Sequence, residues 1–186
     1  MRPRRLIFVL CLTCVVVLLC RPASALSEAG LRADRIRAAL LYYVAKFIQW
    51  PEERSGTTDG PFTVCVLGDD AITLMLEETL ADKSIHGQTA KVVNFQAKAA
   101  AAELAECRMV FVGAMASGEA TSIVSAAHQA GKLTVCAGER QVDEARCVVH
   151  IFEAQNKAKV AVDLPLARRL QFRVSAELLE VAVVLE

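Results

Sequence analysis

Phe62-Thr63-Val64-Cys65-Val66-Leu67-Gly68-Asp69-Asp70 is a short apolar run rich in β-forming residues, closed by a glycine and two acids. From Ala71 to Leu80 the spacing changes to that of a helix, with apolar residues at Ile72, Leu76 and Leu80. Strand, turn and helix in that order are the building unit of an α/β fold.

The same alternation continues downstream. Ala90 to Phe95 reads as a strand, Ala97 to Ala105 as an alanine-rich helical piece, Met109 to Val112 as a strand, Ser117 to Gln129 as a helix and Leu133 to Cys136 as a strand. Val148 to Phe152 and Ala158 to Val162 flank Gln155-Asn156-Lys157, the pattern of a hairpin. Helical pieces at Pro165 to Leu170 and Ala176 to Val183 close the chain. Upstream, Leu31, Ile36, Leu40, Tyr43, Val44 and Phe47 predict an amphipathic helix over Ala29 to Gln49, ending before Trp50-Pro51, and Glu52 to Gly60 reads as a loop. The expectation is one α/β domain with a mixed sheet, parallel in its first half and antiparallel at the C-terminal hairpin, flanked by helices.

The first residues read differently. Arg2, Arg4 and Arg5 precede an uncharged run from Leu6 to Leu19, and Ala23-Ser24-Ala25 supplies the small residues that a signal peptidase reads. That run is shorter than the ~20 residues a helix needs to cross a bilayer. Residues 1–25 are therefore read as a signal peptide cleaved after Ala25, and residues 26–186 as the α/β domain, exported and with no membrane insertion after cleavage. Cys20 raises a lipid anchor as an alternative, but Leu19 stands before it where a small residue is wanted.

The whole chain has 186 residues with 21 basic and 21 acidic side chains. Removing the leader takes Arg2, Arg4, Arg5 and Arg21 and no acid, leaving 161 residues, 17 basic against 21 acidic, and a net charge of about −4. Such a balance argues against nucleic acid as a partner. The leader also takes Cys11, Cys14 and Cys20, leaving Cys65, Cys107, Cys136 and Cys147. Four cysteines in an oxidising compartment predict two disulfides, with three possible connectivities. No C-x-x-C pair accompanies the scattered His86, His128 and His150, so no metal site is expected.

Candidate chemistry is sparse. Asp69 and Asp70 stand where α/β proteins place ligand groups, beyond the carboxyl end of a strand, although the plainer expectation is that Asp70 caps the helix from Ala71. Ser117 reads as a helix cap, and Ser117 or Ser122 could act as a nucleophile only with a histidine such as His128 brought near. Glu153 and Asp163 flank the hairpin as a pair of carboxylates, expected to be exposed at strand ends. No nucleophile elbow, zinc-protease pair or glycine-rich phosphate loop occurs, so neither catalytic residues nor a cofactor are expected. The apolar end Val181-Ala182-Val183-Val184-Leu185 is expected to pack back on the core, the alternative being a surface offered to a partner.

Three stretches carry a resemblance: Ala45-Lys46-Phe47-Ile48-Gln49-Trp50-Pro51, then Val64-Cys65-Val66-Leu67-Gly68-Asp69-Asp70, then Cys107-Arg108-Met109-Val110-Phe111-Val112-Gly113. With Leu133-Thr134-Val135 and Val174-Ser175-Ala176-Glu177-Leu178-Leu179, the chain resembles the YfiR family of exported regulators over nearly all of its mature length. The resemblance implies a periplasmic α/β protein without catalysis that tends to form homodimers. It also implies a partner, the periplasmic domain of a membrane-anchored diguanylate cyclase, held inactive by binding, so that release raises cyclic-di-GMP and favours biofilm formation. By the family's pattern the disulfides are Cys65 to Cys107 and Cys136 to Cys147, and reducing conditions disturb the repressor. The partner surface is expected on the hairpin and terminal helix, with Phe152, Glu153, Asp163 and Leu179 as candidates. Two other readings stand beside it: a periplasmic carrier of a small ligand, with an apolar pocket, and a hydrolase built on Asp69 and Asp70.

Overall fold

Alternate residues of the central strands bury into two different cores, and this accounts for runs that are apolar at every position. In a computed structural model, which describes residues 23–51, 60–95, 101–113, 117–138, 146–155 and 157–185, the elements follow the order expected of an α/β chain. They are α1 (Ala23–Phe47), β1 (Ile48–Gln49), β2 (Phe62–Leu67), α2 (Asp70–Leu80), β3 (Ser84–Ile85), β4 (Gln88–Phe95), α3 (Ala101–Ala105) and β5 (Met109–Val112). There follow α4 (Ser117–Gln129), β6 (Leu133–Ala137), β7 (Val149–Ala154), β8 (Lys157–Asp163), α5 (Leu164–Arg169), β9 (Arg173–Val174), α6 (Ala176–Val181) and β10 (Val183–Leu185). Among the described residues the sheet lies wholly in the compact unit that begins at Ala33.

The eight-stranded sheet has the order β10-β8-β7-β6-β5-β2-β4-β3. Neighbours from β4 through β7 are parallel, the hairpin β7-β8 and the edge pair β3-β4 are antiparallel, and β10 is parallel to β8. Val64 and Val66 of β2, Met109 and Phe111 of β5, and Leu133 and Val135 of β6 pack in one core with Leu41 and Val44 of α1 and Ile72 and Leu76 of α2. Their neighbours Cys65, Leu67, Val110, Val112 and Cys136 turn to the other face and meet Leu104 of α3 and Ile123 and Val124 of α4.

Three local outcomes differ from the sequence reading. The first helix stops at Phe47, because Ile48 and Gln49 leave it to pair with Val174 and Arg173, and Pro51 disfavours helical backbone at the residue before it. A hairpin between β3 and β4 was not expected; it turns through His86 and Gly87, both with positive φ. The last helix ends at Val181, and Val183–Leu185 becomes an edge strand in register with Ala161, Val162 and Asp163. The leader lies outside the described residues up to residue 22, and Ala23 to Ala25 open α1. Among the described residues no helix is long and apolar enough to cross a membrane.

Candidate functional site

Adjacent strands β2 and β5 send their following helices to opposite faces of the sheet, so their carboxyl ends form the place where such sheets open a ligand crevice. Here that place is closed. The N–H of Gly113 donates to Leu67 O at 2.8 Å, and a Cβ on Gly113 would meet Gly68 O at 3.0 Å. Both acids beside it have structural work. Asp69, not Asp70, caps α2, its Oδ1 accepting from the Ile72 N–H at 3.0 Å. Asp70 begins the helix, and its Oδ1 accepts from Asn94 Nδ2 at 2.6 Å. The one-residue correction arises because helical backbone already starts at Asp70, leaving the extended residue before it as the cap.

The three histidines are engaged elsewhere. His86 Nε2 lies 2.9 Å from Ala45 O, with its ring against Trp50 and Phe62. His128 Nε2 lies 2.8 Å from Thr134 Oγ1, and His150 stands opposite Cys136 and Ala161 in the sheet. Burial first, then the charge of Arg169, lowers the His128 pKa from its ordinary 6.5, with Asp163 pulling the other way. Ser122 lies on α4, and the side chain of Ser117 falls outside the described residues. Among the described residues no group of His, Cys, Asp and Glu is placed to hold a metal ion.

Of the carboxylates at the hairpin, Glu153 is exposed and pairs with Ala158 near the turn. Asp163 is 3% exposed, against expectation, because it caps α5: Oδ1 accepts from the Leu166 N–H at 2.8 Å and Oδ2 from Arg146 Nη2 at 2.7 Å. The two stand at opposite ends of the hairpin and cannot share a proton. Of the residues expected at a partner surface, Asp163 is thus buried, whereas Phe152 and Leu179 are half-buried.

A concave feature lies at the other end of the sheet. A cleft of about 380 Å³ is lined by Trp50, Thr63, Lys91, Glu106, Arg108 and Lys132 among others. Sheet register builds it. Lys91 pairs with Thr63 across β4 and β2, while the Arg108 N–H donates to Thr63 O at 2.9 Å and Leu133 N donates to Arg108 O at 3.2 Å. Lys91, Thr63, Arg108 and Lys132 thus form one row across four neighbouring strands at their amino ends. Trp50, 1% exposed, donates from Nε1 to Arg108 O at 3.3 Å and packs edge-on against Phe62.

A family model described as YfiR/HmsC-like (DUF4154) matches residues 34–183. The chain belongs to the YfiR/HmsC-like family. A similar solved structure, titled as the crystal structure of a conserved domain protein from Vibrio cholerae, superposes with a TM-score of 0.53 at 12% identity. The match covers 73% of this chain and 58% of that one, and at this identity it concerns the fold alone. No curated protein matches the sequence.

In this YfiR/HmsC-like chain the two disulfides sit in the core formed with α3 and α4. Cys65–Cys107 ties the middle of β2 to the turn before β5, and Cys136–Cys147 ties β6 to the segment entering β7. Cys107 also lines the amino-end cleft. The row of cations escaped the sequence reading, which met Arg108 only inside a family motif. A usable signal exists: a cation stands immediately before the first residue of two neighbouring strands, Met109 and Leu133.

Proposed function

We propose that this protein is an exported regulator without catalysis of its own, which binds the periplasmic domain of a membrane-anchored diguanylate cyclase and holds it inactive. The observation carrying the reading is the family match over residues 34–183. Export is supported by the charged start, apolar run and Ala23-Ser24-Ala25. Two disulfides suit an oxidising compartment. The non-catalytic reading is supported by the structural employment of Asp69 and Asp163 as helix caps and of Asp70 as the acceptor for Asn94.

The same reading includes a homodimer, release of the cyclase when the disulfides are reduced, and a contact surface that uses Phe152 and Glu153 of the hairpin with Leu179 of α6. Deleting the gene is expected to raise cellular cyclic-di-GMP, with reversal by the exported form and not by a leaderless one. An unchanged level in the deletion strain would remove the cyclase from the account. Phe152→Ala and Leu179→Ala are expected to weaken cyclase binding at an unchanged melting temperature, and full affinity in both would move the interface elsewhere.

A further inference from the structure

We propose that the amino-end cleft binds a small dianion bearing carboxylate or phosphate oxygens, with Arg108 as its central contact. The inference stands on the cleft and does not depend on the cyclase reading.

Neighbouring strands are about 4.8 Å apart, so the shared register brings the Cα atoms of Arg108 and Lys132 within one strand spacing and Lys91 within two of Arg108. Like charges opposed in this way destabilise a sheet. The lining holds three cations against one carboxylate, Glu106, which is exposed. Lys132 is partnered, its Nζ donating to Ala105 O at 2.7 Å. Arg108 has no such relief. Among the described residues its guanidinium has no carboxylate partner, resting instead 5.9 Å from the centre of the Phe62 ring, and Nη1 is buried with no hydrogen-bond acceptor. A buried donor left unpaired is costly, and on a charged group more so.

An oxyanion in the cleft relieves both costs. It neutralises the excess positive charge, and it draws the guanidinium from the Phe62 ring so that Nη1 gains an acceptor in the two-pronged geometry that arginine favours. The volume, about 380 Å³, lies at the small end of ligand sites and admits a molecule of a few carbons. The backbone of Arg108 is fixed by bonds to Thr63, Leu133 and Trp50, so the anchor is held before the ligand arrives.

Trp50 is the single tryptophan of the chain and lines the cleft, so its fluorescence reports occupancy. Purified protein at low salt is to be titrated with succinate, glycerol phosphate and inorganic phosphate, with succinamide, glycerol and ionic-strength-matched chloride as controls. A saturable change with at least one dianion and none with the controls is expected, the tighter ligand showing whether carboxylate or phosphate is the preferred source. Arg108→Gln should weaken that binding at least about tenfold, the size of one lost charged contact. Lys91→Gln, at an exposed position, should weaken it several-fold at an unchanged melting temperature, which keeps the test valid if the arginine variant fails to fold. Absence of any saturable response in the unaltered protein, or a response that Lys91→Gln leaves intact, would overturn the proposal.

Discussion

A Cβ atom on Gly113 would lie 2.8 Å from the Cβ of Asp69, closer than real side chains approach. The contact seals the gap between the carboxyl ends of β2 and β5. Gly113→Ala is therefore expected to destabilise the fold by about 2 kcal/mol, the cost of overpacking where the facing atoms include backbone that cannot turn aside. Gly118→Ala is the control, since nothing lies within 4 Å of the Cβ it would add. Urea unfolding of both variants decides the matter: equal stabilities would mean that the crevice has room to open.

Asp163 joins the end of β8 to the start of α5 with one carboxylate oxygen and to Arg146 with the other. Asp163→Ala removes both bonds and is expected to cost about 2 kcal/mol, mostly from the lost cap, because Arg146 is two-thirds exposed and its ion pair is weak. Asp163→Asn keeps an acceptor for the Leu166 N–H and should cost about half as much. Arg146→Ala should cost under about 1 kcal/mol. Thermal melts that rank Arg146→Ala as the worst of the three would show that the ion pair, not the cap, is the stronger bond.

Much of the fold was legible because its central strands are covered on both faces, so Met109–Val112 shows as an unbroken apolar run bounded by Arg108 and Gly113. Ser117–Gln129 was legible from its helical spacing. The edges were not. Val183–Leu185 sits in an apolar stretch that suits either period, and only pairing with β8 makes it a strand. The turn at His86-Gly87 hides because a histidine with positive φ is not a turn signal. The cleft was illegible for a deeper reason. Lys91, Arg108 and Lys132 are far apart in the chain, and only the register of four strands sets them in one row.

The two disulfides close loops of different length, with sequence separations of 42 for Cys65–Cys107 and 11 for Cys136–Cys147. Loop-closure entropy assigns them roughly 4 and 3 kcal/mol of stabilisation. Replacing both cysteines of a pair by alanine is expected to lower stability in that order, the first pair more because it also pins the two central strands β2 and β5 to one another. Denaturant titration of the two double variants checks the order. The longer loop being the cheaper to lose would show that packing around Cys136 and Cys147 outweighs chain entropy.

His128 links helix α4 to the sheet through a hydroxyl that has no exposure to water. Thr134 Oγ1 accepts from the Val148 N–H at 3.1 Å and lies 2.8 Å from His128 Nε2, where a neutral ring can accept the hydroxyl proton. Burial and Arg169 lower the His128 pKa below 6.5, and Asp163 partly opposes them. With the folded value depressed, the unfolded chain binds the proton more readily, so stability rises with pH across the interval between the two values. The contribution is complete above the unfolded pKa of about 6.5 and is lost as pH falls toward the folded one. Melting temperature is therefore expected to drop on acidification from about pH 7 to 5, and His128→Gln should flatten that part of the profile. Arg169→Gln removes a lowering charge and should make the drop shallower, whereas Asp163→Asn removes a raising one and should make it steeper. Identical slopes in the unaltered protein and His128→Gln would assign the acid sensitivity to another group.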